Sequence, residues 1–194
     1  MKQLLDTLSQ EERKTLPSQR FRNGQIIFHE DEICDSVGVL ISGSVEISSY
    51  SFSGQEIVYN VLEEGGLFGN NLLFSDSSRF RGNVISKGSS EIAFLKKEIL
   101  VKLLQTNREF LEEYLRIQSN FGKSLNMKIK ILSFESAEER FSYYLFTQGG
   151  TIHYQNVTSL AKTLSLQRET LSRLLSKLEK SGSIFREKHE IKKI

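Results

Sequence analysis

The sequence is poor in the residues that staple, stop or anchor a chain. It has one cysteine, one proline, no tryptophan and three histidines in 194 residues. A single thiol, Cys34, excludes an internal disulfide and a cysteine-rich metal centre. It equally excludes an iron–sulfur cluster held by four thiolates. A lone cysteine is expected to be a small apolar filler rather than a reactive group. His29, His153 and His189 are scattered and form no metal-ligand set, so neither a metal nor haem is expected. No apolar run approaches the roughly 20 residues needed to cross a bilayer. The opening "MKQLLDTLSQEERK" is charged from residue 2 and lacks the apolar core of a secretory leader. A cytoplasmic location with no membrane partner is therefore expected. A phosphate-binding loop, a nucleophile elbow and a Ser-His-Asp arrangement are also missing, which argues against an enzyme.

What is present is ordinary in amount and uneven in placement. Hydrophobic residues make up 38% and charged residues 26%, enough for one large or two small globular domains with a real core. The net charge of +2 hides an asymmetry. Residues 151–194 carry nine Lys or Arg against four Asp or Glu, a balance of +5, and residues 1–150 carry −3. A basic module on a slightly acidic body suggests a polyanionic partner.

Residues 1–16 read as a short helix ended by Pro17. From about 20 to 95, short runs rich in Val, Ile, Phe and Tyr alternate with glycine breaks: "FRNGQIIF", "SVGVLISGSVEIS", "QEIVYNVLEEGGLFG" and "RGNVISKGSSEIAFL". That texture predicts a β-sandwich or barrel. "YSFSGQE" at 50–56 reads as a hairpin turn. From about 96 the period becomes helical. "KKEILVKLLQTN" forms one amphipathic helix. A longer one over 107–133 would span about 40 Å at the helical rise per residue. Phe110, Tyr114, Ile117, Phe121, Leu125 and Lys128 follow one stripe along it, and Leu111, Leu115, Ile129 and Leu132 add a second. Two stripes suit burial of one against the β-domain and of the other against a second copy of the chain. A single wide stripe packed inside one chain is the alternative. The expected division is a β-domain with flanking short helices at 1–106, a dimerisation helix and hinge at 107–135, and a third segment at 136–194.

That third segment carries the most specific pattern. Ser136 with Glu139 reads as a capping box, Asn156 caps "NVTSLAKTLSL", and Gly182 closes "SLQRETLSRLLSKLEKSG". "SIFREKHEIKKI" reads as two strands around a turn. Two helices, a tight turn at 165–167 and a hairpin make a winged helix-turn-helix. Leu160, Ala161 and Leu164 back the first helix, and Leu171, Leu174, Leu175 and Leu178 back the second. The second helix would project its front into a major groove. Gln167, Arg168, Glu169, Ser172 and Arg173 are the candidate base-reading residues. Each arginine offers paired donors to guanine, and a carboxylate accepts from a cytosine amino group. Thr158, Lys162, Thr170, Lys177, Arg186 and Lys188 are placed for phosphates. The competing reading is a solvated face on which Arg173 pairs with a nearby acid.

Taken together, these segments resemble the Crp/Fnr family of bacterial transcription regulators over nearly the whole chain. "NGQIIFHEDE" with "VGVLISGSVEI" is similar to the start of its cyclic-nucleotide-binding-type barrel. "EEGGLFGNNLLF" resembles its phosphate-binding cassette, and "QRETLSRLLSKLEKSGSI" its recognition helix. The resemblance implies an α+β chain: an N-terminal jelly-roll-like β-roll, a long central dimerisation helix and a C-terminal winged helix-turn-helix. It implies a homodimer on a palindromic promoter site of double-stranded DNA, with RNA polymerase as a further partner. Arg168, Glu169 and Arg173 match the family's base-reading positions. Ser172 resembles the Fnr branch and Arg168 the Crp branch, which implies TTGA- or TGTGA-like half-sites. The implied effector pocket comprises Gly69, Asn70, Asn71, Leu72, Phe80, Arg81 and Gly82, with Leu125 and Asn126 on the long helix. There the pattern departs from the family. Members that bind cyclic AMP carry Gly-Glu and Arg-Ser pairs where this chain has Gly69–Asn70 and Phe80–Arg81. They carry Thr-Ser where it has Leu125 and Asn126. Cyclic AMP binding is therefore not expected, which leaves an unidentified small effector or none. The alternative function is a ligand- or nucleotide-sensing module whose winged helix serves protein contact.

Overall fold

The computed structural model describes residues 3–194. Its buried apolar side chains fall into two clusters, and the chain divides accordingly into Met1–Ser119 and Asn120–Ile194.

In the first unit, Leu4–Thr7 makes a 3-10 turn and α1 (Gln10–Thr15) follows. The single helix expected over 1–16 is thus two pieces, and Met1 and Lys2 lie outside the described residues. The reason is local. The Glu12 N–H donates to Ser9 Oγ at 3.2 Å, and the Ser9 N–H donates to the Glu12 carboxylate at 2.8 Å. This capping box starts a new helix at Gln10.

Six antiparallel strands come next: β1 (Ser18–Phe21), β2 (Ile26–Phe28), β3 (Ser36–Tyr50), β4 (Glu56–Leu62), β5 (Leu67–Phe68) and β6 (Asn83–Lys96). β3 and β6 form the spine, paired from Ser36 opposite Lys96 to Ser48 opposite Asn83. β1 and β2 add to β6, while β4 and β5 add to β3. Side chains alternate across a strand, and this spine buries apolar residues of both faces, with Val39 and Leu40 adjacent in β3 opposite Ala93 and Ile92 in β6. Val37, Val39 and Val45 from β3 and Val84, Ile92 and Leu95 from β6 are buried. The expected hairpin at 50–56 is present. The Ser51 N–H donates to the Gln55 carbonyl at 2.8 Å, and Gly54 takes φ +78°, a conformation glycine adopts without strain.

Helices α2 (Lys97–Thr106) and α3 (Arg108–Leu132) follow the roll. Leu100, Leu103, Phe110 and Tyr114 join the same core as Leu40, Phe68 and Leu95, and Ile117 packs against it. This corrects the expected dimer stripe. Phe110 is 0% and Tyr114 5% exposed within their own chain, because the start of α3 is needed to complete the core of the roll. The apolar residues that α3 leaves exposed are Leu115, Phe121, Leu125, Ile129 and Leu132, with Lys128 also in solvent. Two stripes exist as the periodicity indicates, with a different membership.

The second unit continues with α4 (Ala137–Thr147), β7 (Thr151–His153), α5 (Val157–Thr163), α6 (Arg168–Lys180), β8 (Ile184–Glu187) and β9 (Glu190–Lys193). The sheet order is β7-β9-β8. Ile131, Phe141, Ile152, Leu160, Leu164, Leu171, Leu175 and Ile191 form its core. Each such burial contributes roughly 1.5–3 kcal/mol. The expected caps are in place. Ser136 and Glu139 make a capping box, and the Ser159 N–H donates to Asn156 Oδ1 at 2.8 Å. Gly182 takes φ +71° and closes α6 with a Schellman pair, Gly182 N–H to the Glu179 carbonyl at 3.0 Å and Ser183 N–H to the Leu178 carbonyl at 2.9 Å.

Candidate functional site

The geometry of α6 starts from its turn. Between α5 and α6, Ser165 adopts φ +53°, which costs a non-glycine residue about 1–2 kcal/mol. The turn is braced from α4. Arg140 donates through Nη1 to the Ser165 carbonyl at 3.0 Å and through Nε to the Phe134 carbonyl at 2.9 Å. The Leu166 N–H closes the turn on the Ala161 carbonyl at 2.9 Å. Behind α6, Leu171, Leu174, Leu175 and Leu178 are all buried. A helix with four leucines locked in the core cannot rotate, so its opposite face is set.

That face holds Gln167, Arg168, Glu169, Ser172 and Arg173, all exposed. Arg168 Nη1 lies 3.8 Å from Glu169 Oε1, a loose contact between neighbours that are both in water. Among the described residues Arg173 pairs with no acid. The solvated-face reading expected such a pairing, so the arginine's donors remain available. Ser172, Arg173, Ser176, Lys177 and Lys180 line a shallow groove along the helix. Lys180 extends the basic row and was not among the sequence candidates. Its signal was the i, i+4, i+7 spacing of Arg173, Lys177 and Lys180.

The phosphate candidates divide. Thr158, Lys162 and Lys188 are exposed, and Thr170 is half-buried. Lys177 is exposed, with its ammonium 2.9 Å from Glu138 in α4. Arg186 needs correction. Its side chain is 25% exposed and folds back so that Nη1 lies 3.6 Å from Glu179. Its Nε is buried without a hydrogen-bond partner among the described residues. An arginine stem packs readily on an apolar surface, and here the side chain is three-quarters buried with its head beside Glu179.

In the first unit Gly69, Asn70, Phe80 and Gly82 of the cassette are engaged by the fold itself. Gly69 takes φ +76°, and a Cβ there would sit 2.8 Å from the Ser36 carbonyl, so only glycine fits. Asn70 is 7% exposed and donates through Nδ2 to Gln118 Oε1 at 2.6 Å. Its carbonyl accepts from Gln118 Nε2 at 3.0 Å and from the Tyr114 hydroxyl at 3.3 Å. Asn71 is exposed and Leu72 half-buried. Phe80 is buried and stacks on Phe28 at 4.5 Å between centroids. Its neighbour Arg81 is exposed, and Gly82 is buried with no room for a Cβ beside the Ser48 carbonyl. The cassette arginine is therefore on the solvent side, and a phenyl ring occupies the inner position. Leu125 and Asn126 lie in the second unit and are exposed there.

Gln118 was not foreseen from the sequence. Its only signal was the four-residue spacing from Tyr114, and the Tyr114 hydroxyl accepts from Gln118 Nε2 at 3.1 Å. Cys34 behaves as filler. Its thiol contacts the Ser36 and Gly69 carbonyls at 3.4 and 3.6 Å, and burial raises its pKa. Burial likewise raises that of Tyr114.

Comparison with known proteins fits this geometry. Residues 18–107, which run from β1 to the end of α2, match the model of the cyclic nucleotide-binding domain. The chain is 25% identical over 168 residues to the cyclic AMP receptor protein of Thermus thermophilus, covering 84% of this chain and 77% of the relative. It is 27% identical over 174 residues to the regulatory protein HlyX of Actinobacillus pleuropneumoniae, covering 84% and 72%. The structure of a CooA variant from Carboxydothermus hydrogenoformans superposes with a TM-score of 0.71 at 18% identity, covering 99% of this chain and 91% of that one. At that identity it shows the fold alone. Among the described residues no helix is long and apolar enough to cross a membrane. Residues 18–107 thus match a cyclic nucleotide-binding domain, and over most of its length the chain is similar to regulators of the Crp/Fnr type.

Proposed function

We propose that the chain is a sequence-specific DNA-binding regulator that works in the bacterial cytoplasm as a homodimer. The observation that carries this reading is the front of α6. Five polar residues are exposed over a leucine back that cannot turn, and Arg173 pairs with no acid among the described residues. A helix presenting unpaired arginine donors beside a carboxylate suits base edges in a major groove better than a bare phosphate backbone. Arg168, Glu169, Ser172 and Arg173 read the bases. Gln167 stands at the helix start beside them, and Lys162, Lys177, Lys188 and Thr158 hold phosphates. The stripe of Phe121, Leu125, Ile129 and Leu132 on α3 supplies the contact with a second copy, which places two α6 helices about 34 Å apart on the duplex. RNA polymerase is the further partner that a transcription regulator requires.

The cassette supports a regulator that has lost cyclic AMP binding. Although one relative is named for that ligand, Asn70 here is held by Gln118, Phe80 fills the inner position and Arg81 faces water. The test is selection from a random DNA pool. Dyad-symmetric TTGA- or TGTGA-like half-sites are expected. Enrichment of asymmetric or unrelated sequences would sink the proposal. A winged unit used for protein contact would show no steeply salt-dependent duplex binding.

A further inference from the structure

We infer that Asn70, Tyr114 and Gln118 form an internal latch that does the work of an effector, holding the cassette against α3 so that DNA binding needs no small ligand. The inference rests on the DNA-reading proposal above and names how that activity is set. All three residues lie within the first unit. Four hydrogen bonds close the ring. Asn70 Nδ2 donates to Gln118 Oε1, Gln118 Nε2 donates to both the Asn70 carbonyl and the Tyr114 hydroxyl, and that hydroxyl donates to the Asn70 carbonyl. The two donors at the Asn70 carbonyl use both of its lone pairs.

A ligand that bridges a loop and a helix stabilises one conformation by contacting both. Here side chains of the protein make that bridge themselves. The residue before Asn70 reinforces it. Gly69 leaves no space for a side chain, and the Leu72 and Leu73 N–H groups both close on its carbonyl at 3.0 Å. Tyr114 is anchored by burial in the core beside Phe110, so its hydroxyl is a fixed donor. A sugar or amide seeking Asn70 would have to displace Gln118 and leave a part-buried amide unpaired, which disfavours entry. The latch therefore both replaces an effector and excludes polar ligands from the same position.

The experiment uses the full chain, unfolded in urea, dialysed and refolded to remove any bound small molecule. Two readouts are compared for wild type, Gln118→Ala and Tyr114→Phe: amide hydrogen exchange in the peptide covering residues 68–73, and affinity for the selected dyad site. Refolded wild type should show a protected cassette and bind the site as tightly as protein never unfolded. Gln118→Ala should exchange at least tenfold faster in that peptide and bind DNA at least tenfold more weakly. Tyr114→Phe, which keeps the core ring if the first variant folds poorly, should move both readouts in the same direction by less. The latch is overturned if cassette exchange is the same in all three proteins. It is equally overturned if refolded wild type binds only after a small-molecule extract of cells is added. Wild type with a protected cassette that binds no duplex at all contradicts the DNA reading, and with it the claim that the latch sets DNA binding.

Discussion

In the C-terminal unit α6 turns its leucines inward and leaves its polar residues in water, whereas in the cassette of the N-terminal unit Asn70 turns onto the protein itself while Asn71 and Arg81 stay exposed. Asn70 and Gln118 satisfy each other, and Phe80 stacks on Phe28. Arg173, by contrast, pairs with no acid among the described residues. Polar groups that are already satisfied resist a ligand, because binding must break bonds before it makes any. Exposed and unpaired donors are open to a partner. The difference separates a helix face that is open to a partner from a cassette whose Asn70 is already bonded within its own unit.

The comparison can be broken by attacking what holds each unit. The largest effect is expected in the leucine back. Leu175→Ala removes a fully buried side chain from the core that fixes α6, and a loss of about 2–5 kcal/mol is expected, read by thermal unfolding. An unchanged transition would mean that α6 is not held by that core. The cassette gives the second test. A ligand at a hundred times its Kd stabilises a protein by about 2.7 kcal/mol. Cyclic AMP at millimolar concentration is expected to leave the melting temperature of wild type unmoved, and a clear upward shift would show that the pocket has kept its family ligand. Ser136→Ala removes the N-cap of α4, the helix whose Arg140 braces the turn before α6. A loss of about 1 kcal/mol is expected by denaturant unfolding.

The smallest effect lies in the C-terminal sheet, on β9. The Lys192 ammonium, hydrogen-bonded at 2.6 Å, holds Glu190 below its ordinary value of 4.5. A lowered carboxylate pKa gives stability that is present above the unfolded value and is lost as pH falls through the folded one. Wild type should therefore lose a little stability below about pH 4.5, and Glu190→Gln should lose less across the same window, read as the melting temperature against pH. Parallel pH profiles would remove this pair from the account.

How much of this was legible in the sequence follows from how local each feature is. The caps at Ser136 and Asn156, the hairpin at 50–56 and the leucine back of α6 depend on neighbours within a turn or two, and all could be read directly. The first sixteen residues could not, because the sequence pattern does not say that the Ser9–Glu12 box outweighs continuation of the helix. On α3 the period showed two stripes but not which one its own unit needs. Phe110 and Tyr114 are claimed by a roll whose strands lie far away in sequence. The position of Arg186 depends on Glu179, seven residues earlier and in a different element. Gln118 was hardest to see. An amide on a helix looks solvated until the fold brings Asn70, 48 residues away, into hydrogen-bond range.

The central claim is that the front of α6 reads bases, and the affinity of Arg173→Ala for matched and mismatched duplexes tests it most directly. Measured at fixed salt beside wild type, the variant should lose about 1–3 kcal/mol on the selected dyad site and almost nothing on a duplex with that half-site scrambled. Equal affinity of variant and wild type for the matched site would contradict the account. So would an equal loss on both duplexes, which would assign Arg173 to the phosphates.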